Sequence, residues 1–543
     1  MRRILFLVGF SLCFAGALFG TDEKLDGRLK KATRGPQDQK IRVIIQWNAP
    51  ADKTDVDDIK AKGGKVDREV KTAKVVVAEM TIDQIRKLND NPKVKHISID
   101  DPVRGHAGEP NVASGALLAT QNYGVTGANI GVAVIDSGIA SHPDLTNVVK
   151  AVDFVDPTKH GAYDGYGHGT HVAGIIAGSG AASNGAHKGV APGVHLVDLR
   201  ALNDNGGGYT SDVMAAIEWA INNKNTVDAT GHNLSIRVIN MSLGHQPYEP
   251  PADDPLTTIC RLAVQNGIVV VVSAGNMGKD AAGNVAYGGI TSPGNEPQVI
   301  TVGAMSTFNT DSRLDDAVAS YSSRGPTAFD HRMKPDITAP GSKIYSTVSA
   351  GSRLATTYPQ YVDGQYMGLS GTSMAAPVVS GAVALMLQAN PALTPNAVKA
   401  ALMYTAEKRN ANAFAIGAGY INVAGAVNLA KNIDTTRSVG QYWIKNYGLT
   451  LNYFNVIAGS PAVWGKTIVW GDAGFTGNAM FYNAASWGQT IVWGDTIAWD
   501  ETIVWDETIV WDETIVWEET IVWGETIVWD ETIVWGETIA WGD

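Results

Sequence analysis

The chain has 543 residues, 45% apolar and 18% charged, an ordinary globular composition with length for more than one domain. Its formal charge of −12 is uneven: residues 467–543 hold fifteen acidic side chains and no basic one, and the remainder, near +3, shows no basic patch that would mark a nucleic-acid surface. Of two cysteines, Cys13 lies in an N-terminal apolar segment, so Cys260 alone survives its removal and an internal disulfide is excluded.

Met1-Arg2-Arg3, the apolar run 4–19 and the small residues Ala15-Gly16-Ala17 predict a signal peptide over 1–20, and hence a secreted or cell-surface protein. No later segment is apolar enough to predict a membrane span after its cleavage. Residues 21–105 predict a small α+β domain. Strands are expected at 41–47, 66–70, 73–80 and 94–99. Helices are expected at 54–62, with Thr54 as N-cap, and at 81–88, opened by Thr81 and ended by Asn91-Pro92. The order βαββαβ implies a ferredoxin-like fold.

Residues 106–432 alternate short apolar runs with helical patterns. Val132-Ala133-Val134-Ile135, Val238-Ile239-Asn240-Met241 and Ile268-Val269-Val270-Val271-Val272 suit strands covered on both faces, with helices at 212–222, 256–266 and 374–388. The pattern predicts an α/β fold with a doubly wound, mostly parallel sheet and function at the carboxyl ends of its strands. Residues 433–543 form a C-terminal extension. Its Thr-Ile-Val-Trp hexapeptides place a Trp every six residues from Trp487 to Trp541. Six is even, so Ile and Trp share one face of a strand and Thr and Val the other. Two readings stand: a solenoid of short strands, or a low-complexity tail whose acidic residues keep sticky segments apart.

Three groups in the middle region carry chemistry. Asp136 follows the apolar run ending at Ile135, which places a carboxylate at a strand's carboxyl end. His168 and His171 open a small-residue helix, and either could serve as a base. Ser373 stands where a helix begins, so its hydroxyl and its own N–H meet the positive end of the helix dipole. Gly371 leaves room for a close approach of backbone.

Asp136-Ser137-Gly138, His168-Gly169-Thr170-His171 and Gly371-Thr372-Ser373-Met374-Ala375-Ala376-Pro377, in that order, resemble the motifs of subtilisin-like serine proteases. The resemblance spans about residues 40–430. It implies Asp136, His168 and Ser373 as the catalytic triad, with His168 rather than His171 as base. Ser273-Ala274-Gly275-Asn276 matches the oxyanion motif, which implies Asn276 as donor. Gly206, Gly207 and Gly208, and Ser242, Leu243 and Gly244, match two backbone edges that hold an extended peptide. A primary pocket is expected between Ser242–Gly244 and Ser273, Ala274 and Gly275. No acid lies in either string, so an apolar or broad preference is expected.

No cofactor is required for this chemistry. Asp144, in His142-Pro143-Asp144-Leu145, matches a position that ligates calcium in some relatives, while loop 179–187 lacks a run of oxygen side chains. The resemblance thus leaves a structural calcium open. Residues 21–105 are similar to the propeptide inhibitor domain of such proteases, which implies an intramolecular inhibitor removed by self-cleavage within 103–108. Activity is expected to rise through about pH 6–7, as an imidazole becomes neutral. The expectation is a secreted, self-activating serine endopeptidase acting on proteins or peptides. The alternative is a surface adhesion or structural protein that carries a protease domain.

Overall fold

The computed structural model describes residues 24–33, 36–49, 51–70, 74–99, 110–158, 161–227, 231–436, 453–470 and 473–476, apart from positions 26, 232, 309 and 311, together with four dipeptides of the repeat. The expected leader, the expected cleavage segment 103–108 and most of the repeat lie outside these residues. The chain divides into two compact units, Met1–Gly105 and His106–Asp543.

In the first unit α1 (Gly27–Ala32), β1 (Lys40–Trp47), α2 (Lys53–Ala61), β2 (Lys65–Val70), β3 (Val75–Thr81), α3 (Ile82–Asn89) and β4 (Val94–Ile99) follow in order. The strands pair antiparallel in the order β2-β3-β1-β4. β1 alternates as a one-faced strand must: Val43, Ile45 and Trp47 share a core with Ile59, Ile82, Ile85 and Leu88, while Arg42, Ile44 and Gln46 alternate with them and stay partly or fully exposed. The cap of α2 is Asp52 and not the expected Thr54. Asp52 accepts the Asp55 N–H, and the Asp55 carboxylate accepts the Asp52 N–H in return. The Thr54 hydroxyl donates to Asp52 and takes no capping role, because a carboxylate is the stronger acceptor. α3 has Thr81 as N-cap, with Gln84 closing the reciprocal pair.

The second unit opens with α4 (Pro110–Ala113) and α5 (Ala116–Tyr123). Its main sheet takes β5 (Gly131–Asp136), β6 (Val148–Asp153), β7 (His195–Arg200), β8 (Ile236–Met241), β9 (Val269–Ser273), β10 (Ile300–Ser306), β11 (Ala317–Val318) and β12 (Ile337–Pro340). Between them run α6 (His168–Ala177), α7 (Thr210–Asn223) and α8 (Pro255–Gln265). The strand order is β11-β10-β9-β8-β5-β7-β6, with β12 also on β10, and every pairing is parallel except β10–β11. β6 and β7 lie to one side of β5 and β8 to β10 to the other, so the winding reverses at β5. A crevice opens at such a switch point. Alternate residues of one strand feed two different cores: Val132 and Val134 one, Ala133 and Ile135 the other; Val269 and Val271 one, Val270 and Val272 the other. This double burial is why the runs read as continuously apolar.

A small antiparallel sheet follows, β13 (Ile344–Thr347) and β14 (Val362–Asp363) flanking β15 (Tyr366–Leu369), with α9 (Arg353–Thr357) between. Then come α10 (Thr372–Ala389), α11 (Pro395–Thr405), α12 (Ala413–Ile416) and α13 (Val423–Asn432). α10 is long and apolar enough to cross a membrane, but it is the central core helix, with every side chain from Met374 to Leu387 buried. Packing continues past residue 432. The hairpin β16 (Phe454–Ile457) and β17 (Ser460–Val463) brings Trp464 edge-on to Tyr404, and Trp464 Nε1 donates to Asn455 Oδ1 at 2.9 Å. A second hairpin pairs β18 (Thr467–Trp470) with β19 (Ala473–Thr476). In the repeat, β20 (Val504–Trp505) pairs parallel with β22 (Val522–Trp523), and β21 (Val510–Trp511) with β23 (Val528–Trp529). Both registers join residues eighteen apart, an interval of three hexapeptides.

Candidate active site

Asp136 is the last residue of β5 and is fully buried. Its Oδ1 and Oδ2 lie 2.8 and 3.0 Å from His168 Nδ1, and Oδ1 also accepts the Ser137 N–H at 2.8 Å. His168 is the first residue of α6, behind Gly167 at φ 101°, a left-handed conformation that glycine adopts without strain. A further acid, unremarked in the sequence, ties the two loops together. The buried Asp164 accepts from Ser137 Oγ at 2.9 Å, the Gly167 N–H at 2.7 Å, and the Thr170 N–H and Oγ1 at 2.9 and 2.7 Å. Ser137 Oγ in turn accepts the Gly169 N–H at 2.9 Å. The carboxylate strand and the imidazole helix thus share one hydrogen-bond network.

Burial opposes charge on His168, but the Asp136 carboxylate beside it outweighs burial and holds the imidazole pKa above its ordinary 6.5. His171, one turn on, behaves oppositely. It is buried without a carboxylate partner, and burial depresses its pKa to about 4. Neutral His171 donates from Nε2, which lies 2.8 Å from the Met367 carbonyl and 3.1 Å from that of Ile344, and so fastens α6 to the β13–β15 sheet.

Ser373 is the second residue of α10. Its Oγ donates to the Ser242 carbonyl at 3.1 Å, while Ser242 Oγ donates to the Ser373 carbonyl at 2.8 Å. The hydroxyl is thus turned toward Ser242 rather than hydrogen-bonded to His168; such bonds are often unformed in a site without substrate. Asn276 stands beside it. Its Oδ1 accepts the Thr372 N–H at 2.9 Å and Thr372 Oγ1 at 3.1 Å, which fixes the amide and leaves Nδ2 as the outward donor. Gly371, which has no side chain, lies directly beside this amide: Asn276 Nδ2 would be in van der Waals contact, at 3.5 Å, with a methyl group there.

A cleft of about 580 Å³ runs from His168 past Gly206, Gly207 and Gly208 on one bank and Ser242, Leu243 and Gly244 on the other, floored by Leu202, Val213 and Leu256. The structure therefore brings both predicted edges to one cleft. Ser273, Ala274 and Gly275 do not line it. Gly275 instead exchanges hydrogen bonds with Thr372 Oγ1, and Ala274 bonds to Val302 and Thr291. Tyr166 and the exposed Tyr209 and Tyr248 also line the cleft. Tyr209 directly follows the glycine edge; Tyr166 and Tyr248, lone tyrosines in loops, gave no sequence signal for that position.

An acid-oriented imidazole and a helix-borne hydroxyl, set at the switch point of a parallel sheet, are the equipment of a serine hydrolase. Residues 127–420 match the Subtilase family, and the chain belongs to that family. It is a serine-type endopeptidase. The serine protease AprX of Bacillus subtilis (strain 168) is 40% identical over 349 residues, covering 63% of this chain and 74% of that protein. Subtilisin E of the same strain is 37% identical over 381 residues, 69% of this chain and 86% of that protein. The extracellular serine proteinase of Thermus sp. (strain Rt41A) is 35% identical over 358 residues, 64% of this chain and 74% of that protein. Among solved structures, that of a cold adapted subtilisin-like serine proteinase matches with a TM-score of 0.40 and 32% identity, covering 55% of this chain and 89% of that one.

Proposed function

We propose that this subtilase cleaves peptide bonds through Ser373 as nucleophile, His168 as general base and acid, and Asp136 as the group that orients and charge-stabilises the imidazole. The observation that carries the reading is the paired contact of both Asp136 oxygens with His168 Nδ1, which fixes the tautomer and leaves Nε2 to take a proton. Ser373 attacks the scissile carbonyl and His168 accepts its proton. The carbonyl oxygen gains negative charge, for which Asn276 Nδ2 and the Ser373 N–H are the nearby donors; among the described residues no acceptor takes that N–H. His168 then protonates the leaving amine, and water resolves the acyl-enzyme by the same route reversed. The substrate is an extended peptide laid between Gly206–Gly208 and Ser242–Gly244 as an added strand, with an apolar or broad preference.

The apolar leader supports export, as does the name of the extracellular Thermus relative. Residues 21–105 act as an intramolecular inhibitor that the enzyme removes by cutting within 103–108. Casein hydrolysis by the full chain, abolished by an irreversible serine-directed inhibitor, tests the chemistry. The Ser373→Ala chain tests the processing. It should stay at full length under conditions in which the wild type shortens, and equal shortening of both would refute self-cleavage.

A further inference from the structure

Asp144 lies in the loop after β5, at the position where the family resemblance left a calcium ion open, and the residues around it do not fit one. A calcium site needs six to eight oxygens with free lone pairs converging on one point. The Asp144 carboxylate is buried, and each of its oxygens is already taken by a hydrogen-bond donor. Oδ1 accepts the Ala182 N–H at 2.8 Å, and Oδ2 accepts the Tyr366 hydroxyl at 2.8 Å. Each oxygen keeps a second lone pair, but a cation there would face the Ala182 N–H and Tyr366 O–H dipoles, whose positive ends point at the same carboxylate. Loop 179–187, which follows α6, also turns N–H groups inward here: Ser179 N–H donates to the Asp144 carbonyl at 3.0 Å. Among the described residues no group of three or more His, Cys, Asp or Glu could hold a metal ion.

Two imidazoles pack against the Tyr366 ring. His142 stands edge-on to it at 5.9 Å between centroids, and His187 lies at 4.5 Å. His142 Nδ1 accepts the Asp144 N–H at 3.1 Å, which leaves its Nε2–H to donate to the Gln365 carbonyl at 2.9 Å. Gln365, in the β14–β15 turn, and Tyr366, the first residue of β15, thus reach the 142–144 loop. The next residue, Met367, accepts from His171 on α6. Loop, sheet and catalytic helix form one connected corner.

We propose that the Tyr366 hydroxyl takes the place of a divalent cation at Asp144, so that this corner, and with it the base of the His168 helix, is held without metal. The test is thermal unfolding of the full-length Ser373→Ala chain, which cannot digest itself, in EDTA and in millimolar calcium. The two Tm values should agree within about 1 °C, whereas a site saturated a hundredfold over its Kd would raise Tm by roughly 3–5 °C for a unit of this size. Tyr366→Phe should lower Tm by several degrees, equally in both buffers. A calcium-dependent rise that disappears in Asp144→Asn overturns the proposal, as does an unchanged Tm in Tyr366→Phe. A rise that survives Asp144→Asn puts the cation elsewhere and agrees with it. None of these readings uses enzymatic activity, so the result stands apart from the proposed mechanism.

Discussion

The helices of the first unit and the two that carry His168 and Ser373 in the second begin in different ways. In the first unit α2 and α3 close their N-termini with side chains, Asp52 with Asp55 and Thr81 with Gln84. In the second, α8, α9, α11, α12 and α13 are likewise capped by Asp254, Ser352, Thr394, Asn412 and Asn422. By contrast, α6 and α10 begin behind Gly167 and Gly371 and borrow acceptors from other loops: Asp164 and Ser137 take the Thr170 and Gly169 N–H groups, and Asn276 takes that of Thr372. A capping box satisfies N–H groups that would otherwise be orphaned, and it stabilises the helix. A glycine supplies no such acceptor of its own, and in α10 it leaves the Ser373 N–H for an incoming group. Stability in α6 and α10 comes instead from burial along nearly their whole length. The contrast separates helices that hold a fold from helices that present a reacting group, and it can be attacked from both ends.

Changes at the groups around His168 and Ser373 should cost rate and spare the fold. Asp136→Asn should lower kcat about 10⁴-fold, the scale measured for the corresponding change in another serine protease, by favouring the wrong tautomer of His168. Since the Asp136 charge is what holds the His168 pKa above 6.5, the acidic limb of kcat/KM should lie above that value in the wild type and move down in the variant. A limb that does not move would remove His168 from the role of base. Asn276→Ala should lower kcat by about 10²–10³ with little change in KM, the scale measured for loss of an oxyanion donor in a subtilisin. A KM effect with an unchanged kcat would make Asn276 a binding residue only.

His171, on the same helix as His168, belongs to the fold. Its pKa is depressed in the folded state, so the unfolded chain binds the extra proton. Stability is then fully present above about pH 6.5 and is lost as pH falls toward the folded value of about 4. The full loss would be roughly 3 kcal/mol. His168 has the opposite sign: its raised pKa favours the folded state at low pH, and that contribution fades as pH rises through the folded value. Urea unfolding of the Ser373→Ala chain between pH 7 and 4 should therefore show a decline that is shallower in His171→Gln. Equal slopes would mean that some other group governs acid lability.

Much of this was legible in the sequence where the chain is locally consistent. The strand at Val132-Ala133-Val134-Ile135 is apolar throughout because both of its faces are covered, and such a run ending in Asp136 points to a site at the carboxyl edge. What escaped depends on partners distant in sequence. Asp164 sits in a glycine-rich loop and looks like a turn residue; its meaning comes from Ser137, on a different loop. Tyr366 reads as an ordinary strand aromatic until the fold sets it against Asp144. Trp464 lies in a mixed aromatic stretch with no period, since β16 and β17 are four residues each, too short for alternation to stand out. The Asp52 cap was missed because Thr54, two residues on, offers a second plausible acceptor in the same turn.

The smallest expected effect tests the other end of the contrast. Thr81→Ala removes the hydroxyl that accepts the Gln84 N–H at 3.3 Å, while Gln84 Oε1 still accepts the Thr81 N–H at 2.8 Å. Half of the box remains, so the cost should be about 1 kcal/mol. Hydrogen exchange on the full-length Ser373→Ala chain would read it as faster exchange over α3 and the paired β3, with protection of α10 unchanged. Placed in the active chain, the same substitution should leave the kcat of the processed enzyme alone, because the altered cap lies in the unit expected to be cut away. If kcat fell, the first unit would be part of the working enzyme and not only of its precursor, and the division between helices that hold and helices that react would fail where it is now drawn.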